Sequence, residues 1–370
     1  MFVALRDLRH ARGRFALVSV VVVLVTFLVT FLASLTAGLA RESTSAITDL
    51  PVDHLALVVP DDATVDFTAS QVDADDVAAW SARDGVADAE PLGIATTRGT
   101  LDGAAGGTSV TMLGVPPGSG LVPDGADVAA GQVVLSAGAA DDLGARAGDT
   151  LVVASQDLRV ADVVASDASY AHTPVVWTTL DDWQAVGAPT GAGAGRADEA
   201  PGDVATAVAL TDDLDDAALA AAADATGSTV LTPRDARSAV GSFAAENGSL
   251  TTMQAFLLAI SALVVGAFFT VWTVGRSGDV AVLKALGAST RYLLRDAIGQ
   301  ALVVLVGGVA LGALLAAGSA ALLSGAVPVV VSAATTVLPA ALLVVLGVAG
   351  AALAVARITR VDPHAALAAR

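Results

Sequence analysis

Four long apolar runs divide this 370-residue chain into a membrane part and a polar insert. FALVSVVVVLVTFLVTFLASLTAGLA occupies 15–40 and LTTMQAFLLAISALVVGAFFTVWTV occupies 250–274; two further runs cover 298–324 and 337–356. Each meets the ~20 apolar residues that a helix needs to cross roughly 30 Å of hydrocarbon. None carries a charged side chain. The first run is about twice the 7–15 residues of a signal-peptide core, so it reads as an uncleaved anchor.

The stretch 41–249 has a different pattern. HLALVVP (54–60) reads as a strand and VDADDVAAWSARDGV (72–86) as a helix, with strands expected near 92–97 and 108–115. QVVLSAGAADDLGARAGDTLVVAS (132–155) predicts strand, helix, Gly-Asp turn and strand. TPVVWTTLDDWQAV (173–186) adds a strand and a short helix, and 203–233 adds strand, helix and strand. GAGAGRADEAPG (191–202) has the composition of a flexible loop. Strands and helices without a strict repeat predict an α+β domain. The fold class is therefore a four-helix membrane protein with a large α+β domain inserted between helices 1 and 2.

Charge sets the orientation. Residues 41–247 hold 33 of the 37 acidic and 8 of the 19 basic residues, a net of −25, whereas the rest of the chain has a net of +7. The segment 1–14 is +3, the 275–296 loop +2 and the tail 357–370 +2. Positive flanks stay inside while long domains cross regardless of charge. The expected protein spans a bacterial plasma membrane several times, with both termini cytoplasmic and the insert outside. MFVALRDLRHARGRF reads equally as an interfacial helix over 1–14 or as a simple positive flank.

Candidate chemistry is sparse. There is no cysteine, and neither a GxSxG elbow nor a GxxxxGK[ST] phosphate loop occurs, so the chain reads as no enzyme and binds no nucleotide by that route. His54 and His172 stand apart in sequence, without metal-ligand spacing. The acidic pairs Asp61–Asp62, Asp75–Asp76, Asp141–Asp142 and Asp212–Asp213 read as helix-start residues rather than as a metal site. The spans lack ionisable groups, which argues against a proton relay or an ion-coupled carrier. Gly308, Gly312 and Ala316, spaced at i, i+4 and i+8, read as a helix-packing face.

The cytoplasmic stretch GRSGDVAVLKALGASTRYLLRDAIGQ, within 275–297 and just beyond, is far more patterned than a connector requires. Ser277 is expected to cap a short helix carrying Asp279, Val282, Leu283 and Leu286, and Gly287 to end it. Ser289 is expected to cap the next helix. The Val282–Leu283–Leu286 ridge is too short to span a membrane, and it fits either a groove on a partner or the inner ends of its own spans.

GDVAVLKALGAS closely resembles the signature of the FtsX-like permease family of ABC transporters, and the order of spans and outer domain is similar throughout the chain. The 133–153 stretch VVLSAGAADDLGARAGDTLVV resembles part of the MacB-type periplasmic core domain. The resemblance implies docking of Asp279, Val282, Leu283, Lys284, Leu286 and Gly287 on a separate ATP-binding subunit, which would hold ATP and Mg. This chain has Asp279 where Glu is usual and Lys284 where Arg is common, with charge sign kept in both. The resemblance further implies a second permease copy or paralogue, admits an accessory protein outside, and involves no nucleic acid. The cargo class would be lipid-like, peptide or antibiotic, or else the motion would activate an outer partner. The alternative reading is a membrane-anchored receptor or adaptor with an outer ligand-binding domain.

Overall fold

The computed structural model describes residues 12–358 except positions 61, 105, 155, 188–203, 276, 277, 279–281, 283–286, 288 and 324. Most of the interfacial segment 1–14, the 191–202 loop, most of the C-terminal tail and most of the docking element thus lie outside the described residues. The chain divides into two compact units: one contains the residues up to Leu39 and from Gly248 onward, the other Ala40–Asn247.

The first unit contains four apolar helices. Helix α1 runs Arg12–Thr48, α7 Gly241–Gly275, α8 Thr290–Leu323 and α9 Ala333–Ile358. Each is longer than its apolar run. The excess is greatest in α1, which continues from Ala40 to Thr48, and in α7, which begins nine residues before Leu250. Helix formation does not stop where hydropathy falls, because the polar residues at these ends include no proline and are compatible with a helix. The core of this unit joins Val18, Val22 and Val29 of α1 to Phe269, Leu305 and Leu343 of the other three helices. Large apolar side chains such as Leu24, Leu263, Leu314 and Val345 face outward, as hydrocarbon surroundings permit.

The second unit is α+β. Its strands are β1 (His54–Leu57), β2 (Val72–Asp73), β3 (Val86–Leu101), β4 (Thr108–Val115), β5 (Gln132–Ser136), β6 (Thr150–Val153), β7 (Gln156–Val164), β8 (Ser169–Tyr170), β9 (Thr173–Thr179), β10 (Val204–Ala205), β11 (Ala207–Asp212) and β12 (Thr229–Leu231). The short helices are α2 (Ala74–Ser81), α3 (Ala137–Leu143), α4 (Leu180–Gly187), α5 (Asp216–Thr226) and α6 (Pro233–Ala236).

Strand β3 organises the domain. Its first half pairs with β11, which continues through β1 to β12 as an antiparallel sheet. Its second half pairs with β4 and its end with β6. The ladder β3-β4-β9-β5-β7-β6 closes back on β3, with β4–β9 and β5–β7 parallel. Among the described residues, each of the six strands in this ring is paired on both sides. One core, built on Val110, Met112, Leu135, Leu151 and Trp183, serves the closed half. Another buries Ile47 at the end of α1 and Phe243 at the start of α7 with Leu55, Leu113 and Trp177.

Local signals account for several elements. Asp73 accepts from the Asp75 and Asp76 N–H groups and Asp76 answers on the Asp73 N–H, a capping box opening α2. Ser136 caps α3, and Gly144 closes it in a left-handed conformation. The helix-start reading of the acidic pairs holds for Asp75–Asp76 and needs correction elsewhere. Asp141–Asp142 stand in the last turn of α3, and Asp212 ends a strand, whereas Asp215 caps α5. Asp61 lies outside the described residues.

Candidate coupling and packing sites

The polar loop between α7 and α8 is described at a few positions. Val282 is helical and exposed, and Gly287 sits in a turn at φ +93°, a conformation that glycine adopts without Cβ strain. Ser289 caps α8 by accepting the Tyr292 N–H at 3.3 Å on Oγ. Asp279, Leu283, Lys284 and Leu286 lie outside the described residues.

Gly308 and Gly312 face α1 directly. A Cβ at Gly312 would meet the Val23 carbonyl oxygen at 2.6 Å, Thr26 Cβ at 2.7 Å and the Phe27 nitrogen at 3.1 Å. At Gly308 the nearest atoms belong to the Val22 side chain, at 2.8 and 3.1 Å. Ala316 is 1% exposed. Two further close approaches occur: Gly347 lies against Leu305, and Gly350 lies against Gly266 backbone to backbone. Neither pair has the i, i+4 spacing that drew attention to Gly308. Gln254 donates a side-chain hydrogen bond to Thr36 at 2.7 Å, a polar link between α7 and α1.

Both histidines of the outer unit, isolated in sequence, have carboxylate neighbours in space. His54 Nδ1 is 2.8 Å from Asp212, whose side chain is fully buried. His172 Nε2 is 3.1 Å from Glu246 and its Nδ1 3.7 Å from Glu42. His172 and Ala171 form a tight turn between β8 and β9 with φ +63° and +49°. That turn is tied to the end of α1 by the Ala171 N–H to the Ser43 carbonyl, and Ser43 meets Ser242 of α7 through their hydroxyls at 2.6 Å. The turn thus braces the outer ends of α1 and α7. Beside it, burial pushes the Tyr170 phenol well above its ordinary value, with the Asp66 carboxylate adding to the shift. Among the described residues no three His, Asp or Glu side chains are placed to hold a metal ion.

Four apolar helices of spanning length and an inserted α+β domain define a polytopic membrane protein with a large outer domain. Residues 15–226 match the MacB-like periplasmic core domain, and residues 252–363 match the FtsX-like permease C-terminal region. The chain belongs to this family of ABC transporter permeases. It is 28% identical over 374 residues to an ABC transporter permease of Mycobacterium bovis, covering 98% of each chain. An ABC transporter permease of Mycobacterium tuberculosis is 26% identical, again over 98% of both. With the Staphylococcus epidermidis protein whose name is hemin transport system permease protein HrtB, identity is 27%, and the match spans only 38% of this chain and 40% of that one. Among solved structures, the extracellular domain of the transporter YknZ matches with a TM-score of 0.33 at 14% identity, covering 49% of this chain and 98% of that one. The periplasmic region of MacB from Actinobacillus actinomycetemcomitans matches with a TM-score of 0.33 at 12% identity, covering 50% and 90%.

Proposed function

We propose that this chain couples ATP hydrolysis by a separate nucleotide-binding subunit to movement of its outer domain. The observation that carries this reading is the continuity of α1 and α7. Thirty-seven residues in α1 and 35 in α7 correspond to about 55 Å and 52 Å of helix at 1.5 Å per residue, against roughly 30 Å of hydrocarbon. The surplus of both helices is anchored in the outer core through Ile47 and Phe243. An unbroken helix transmits displacement along its axis, so motion at its cytoplasmic end reaches the outer core. The absence of charged residues from all four apolar runs favours a force-transmitting bundle over a hydrophilic channel.

In this reading both termini are cytoplasmic and the 275–297 loop docks on the ATPase through Asp279, Val282, Leu283, Lys284, Leu286 and Gly287. Nucleotide and Mg are held by that partner, and two permease copies or a paralogous pair serve its two subunits. Gly308, Gly312 and Ala316 keep α8 close against α1. The output is export of a lipid-like, peptide or antibiotic cargo, or activation of an outer partner. The hemin in the staphylococcal name attaches to a match over a minor part of this chain, and it assigns no cargo here.

The test is purification of the full chain from native membranes in mild detergent, with the eluate assayed for ATP hydrolysis. Wild type is expected to bring down an ATPase. Leu283→Asp with Leu286→Asp is expected to lose at least tenfold of the co-eluting activity while inserting in the membrane normally. Undiminished co-elution by the double variant would remove the ridge from the docking element. A clean preparation without ATPase would favour a receptor or adaptor.

A further inference from the structure

Three segments of the outer unit meet at His172: the turn between β8 and β9, the end of α1 and the start of α7. The turn holds two successive residues with a Cβ, Ala171 and His172, in the left-handed region. Such backbone persists only where its surroundings hold it, and it concentrates at switch positions. Main-chain bonds fix the turn on α1, from the Ala171 N–H to the Ser43 carbonyl at 2.9 Å and from the His172 N–H to the Glu42 carbonyl at 3.3 Å. The imidazole then lies between two carboxylates. Its Nε2 is 3.2 and 3.1 Å from the two oxygens of Glu246 on α7, and its Nδ1 is 3.7 Å from Glu42 on α1. We propose that His172 is a proton-operated clasp, which holds the outer ends of α1 and α7 together when the medium around the outer domain is acidic.

The chemistry of the ring sets the sense of the response. A neutral imidazole has one N–H and one lone pair, so it donates to one glutamate and turns a lone pair toward the other. The imidazolium donates from both nitrogens and brings a positive charge between the two carboxylates. Among the described residues, His172 is the only basic group within ion-pair distance of Glu42 or Glu246. Arg41, the residue before Glu42, is engaged with Asp49 at 2.9 Å. The hairpin itself offers one other titratable group, Tyr170, on which Asp66 acts; its phenol keeps its proton far beyond pH 5–8, where histidine ordinarily titrates. Glutamate is ordinarily ionised across that window.

With the ring neutral, the junction therefore holds two negative charges on two helices and no cation. With the ring protonated, it holds an ion pair to each helix. The ring is 30% exposed, so protons of the medium reach it. The hydroxyl contact between Ser43 and Ser242 contains no group that titrates in this window, so the part of the junction that responds to pH is His172. The consequence for transport rests on the coupling reading above: acid outside joins α1 and α7 into one strut, and alkali lets their outer ends move separately.

The test is amide hydrogen exchange of the full chain in zwitterionic lipid nanodiscs, followed by mass spectrometry in peptides covering 168–173 and 241–247. Rates are normalised to the unfolded chain of the same sequence, and wild type is compared with His172→Gln at pH 5.5 and at pH 8.5. At pH 5.5 both peptides are expected to exchange about two- to tenfold more slowly in wild type, the scale of two partly exposed ion pairs. At pH 8.5 that difference is expected to vanish. Any cost of glutamine in the left-handed position applies at both pH values and cancels between them. Glu42→Gln with Glu246→Gln keeps His172 and the acceptor oxygens, and is expected to lose the pH-dependent protection. A gap between wild type and His172→Gln that is equal at the two pH values, or absent from both, would overturn the proposal. So would full pH-dependent protection in the double glutamine variant. The measurement needs no ATPase, so its failure leaves the coupling reading standing; failure of that reading leaves the clasp without its consequence for transport.

Discussion

The contact between α8 and α1 offers a measurement in which the control lies in the same helix. A methyl group at Gly312 would be 2.6 Å from the Val23 carbonyl oxygen and 3.1 Å from the Phe27 nitrogen. Ordinary contacts begin near 3.4 Å, so the helices must part by about 0.8 Å, because backbone atoms have no rotamer into which to withdraw. Overpacking of this kind costs about 1–3 kcal/mol. Gly307, five residues earlier, has nothing within 4 Å of its Cβ position. Both Gly→Ala substitutions gain the same helix propensity, about 1 kcal/mol, so their difference isolates the steric cost. Gly308→Ala should fall between them, since its nearest atoms, Val22 Cγ1 at 2.8 Å and Cβ at 3.1 Å, are fewer and less close than those at Gly312. The assay is thermal loss of the helical circular-dichroism signal for the purified chain in one detergent. At about 2–4 °C per kcal/mol, Gly312→Ala should melt roughly 2–12 °C below Gly307→Ala. If the two melt together, or Gly312→Ala is the more stable, the close approach of α8 to α1 is wrong.

Two further outcomes follow from the turn at 170–172. Ala171 at φ +49° is in a conformation costing about 1 kcal/mol for a residue with a Cβ; Ala171→Gly should offset its greater unfolded-state entropy and raise stability by about 0.5 kcal/mol, measured by denaturant unfolding of the full chain. A destabilised variant would mean that the Ala171 methyl contributes packing that outweighs the backbone relief. Tyr170→Phe should change stability little at neutral pH and should flatten its decline in alkali. The folded phenol keeps its proton above the ordinary value of 10.0, whereas the unfolded chain releases it there, so wild-type stability falls as pH rises past that value. An equal decline in both proteins, followed by pH-dependent unfolding, would show that Tyr170 does not contribute the linkage.

Much of this protein was legible along the chain. The four apolar helices follow from uninterrupted hydrophobic runs, since a spanning helix must satisfy its own backbone over a fixed thickness. Strand, helix, turn and strand at 132–153 follow from period, a capping serine and glycine stops, all of them interactions within a few residues. The strand Gln156–Val164, passed over in the pattern of 132–155, pairs with both β5 and β6; its place is set by those partners rather than by its own composition. Gly308 and Gly312 were visible as small residues at one-turn spacing, but the identity of their neighbours in α1 was not, because spacing records a face and not what covers it.

Tertiary structure alone decided which distant groups meet. His172 and Glu246 are 74 residues apart, and His54 and Asp212 are 158 apart; each pair is joined only after the chain returns to the same place. The closure of β3 onto both β4 and β6, and the cavity that brings the end of α1 against the 118–127 loop, have no short-range signature either. Local sequence specifies backbone conformation and apolar faces because those energies act over a few residues. Register, contact partners and concave surfaces depend on how whole elements pack, and that sum is fixed only in the folded chain.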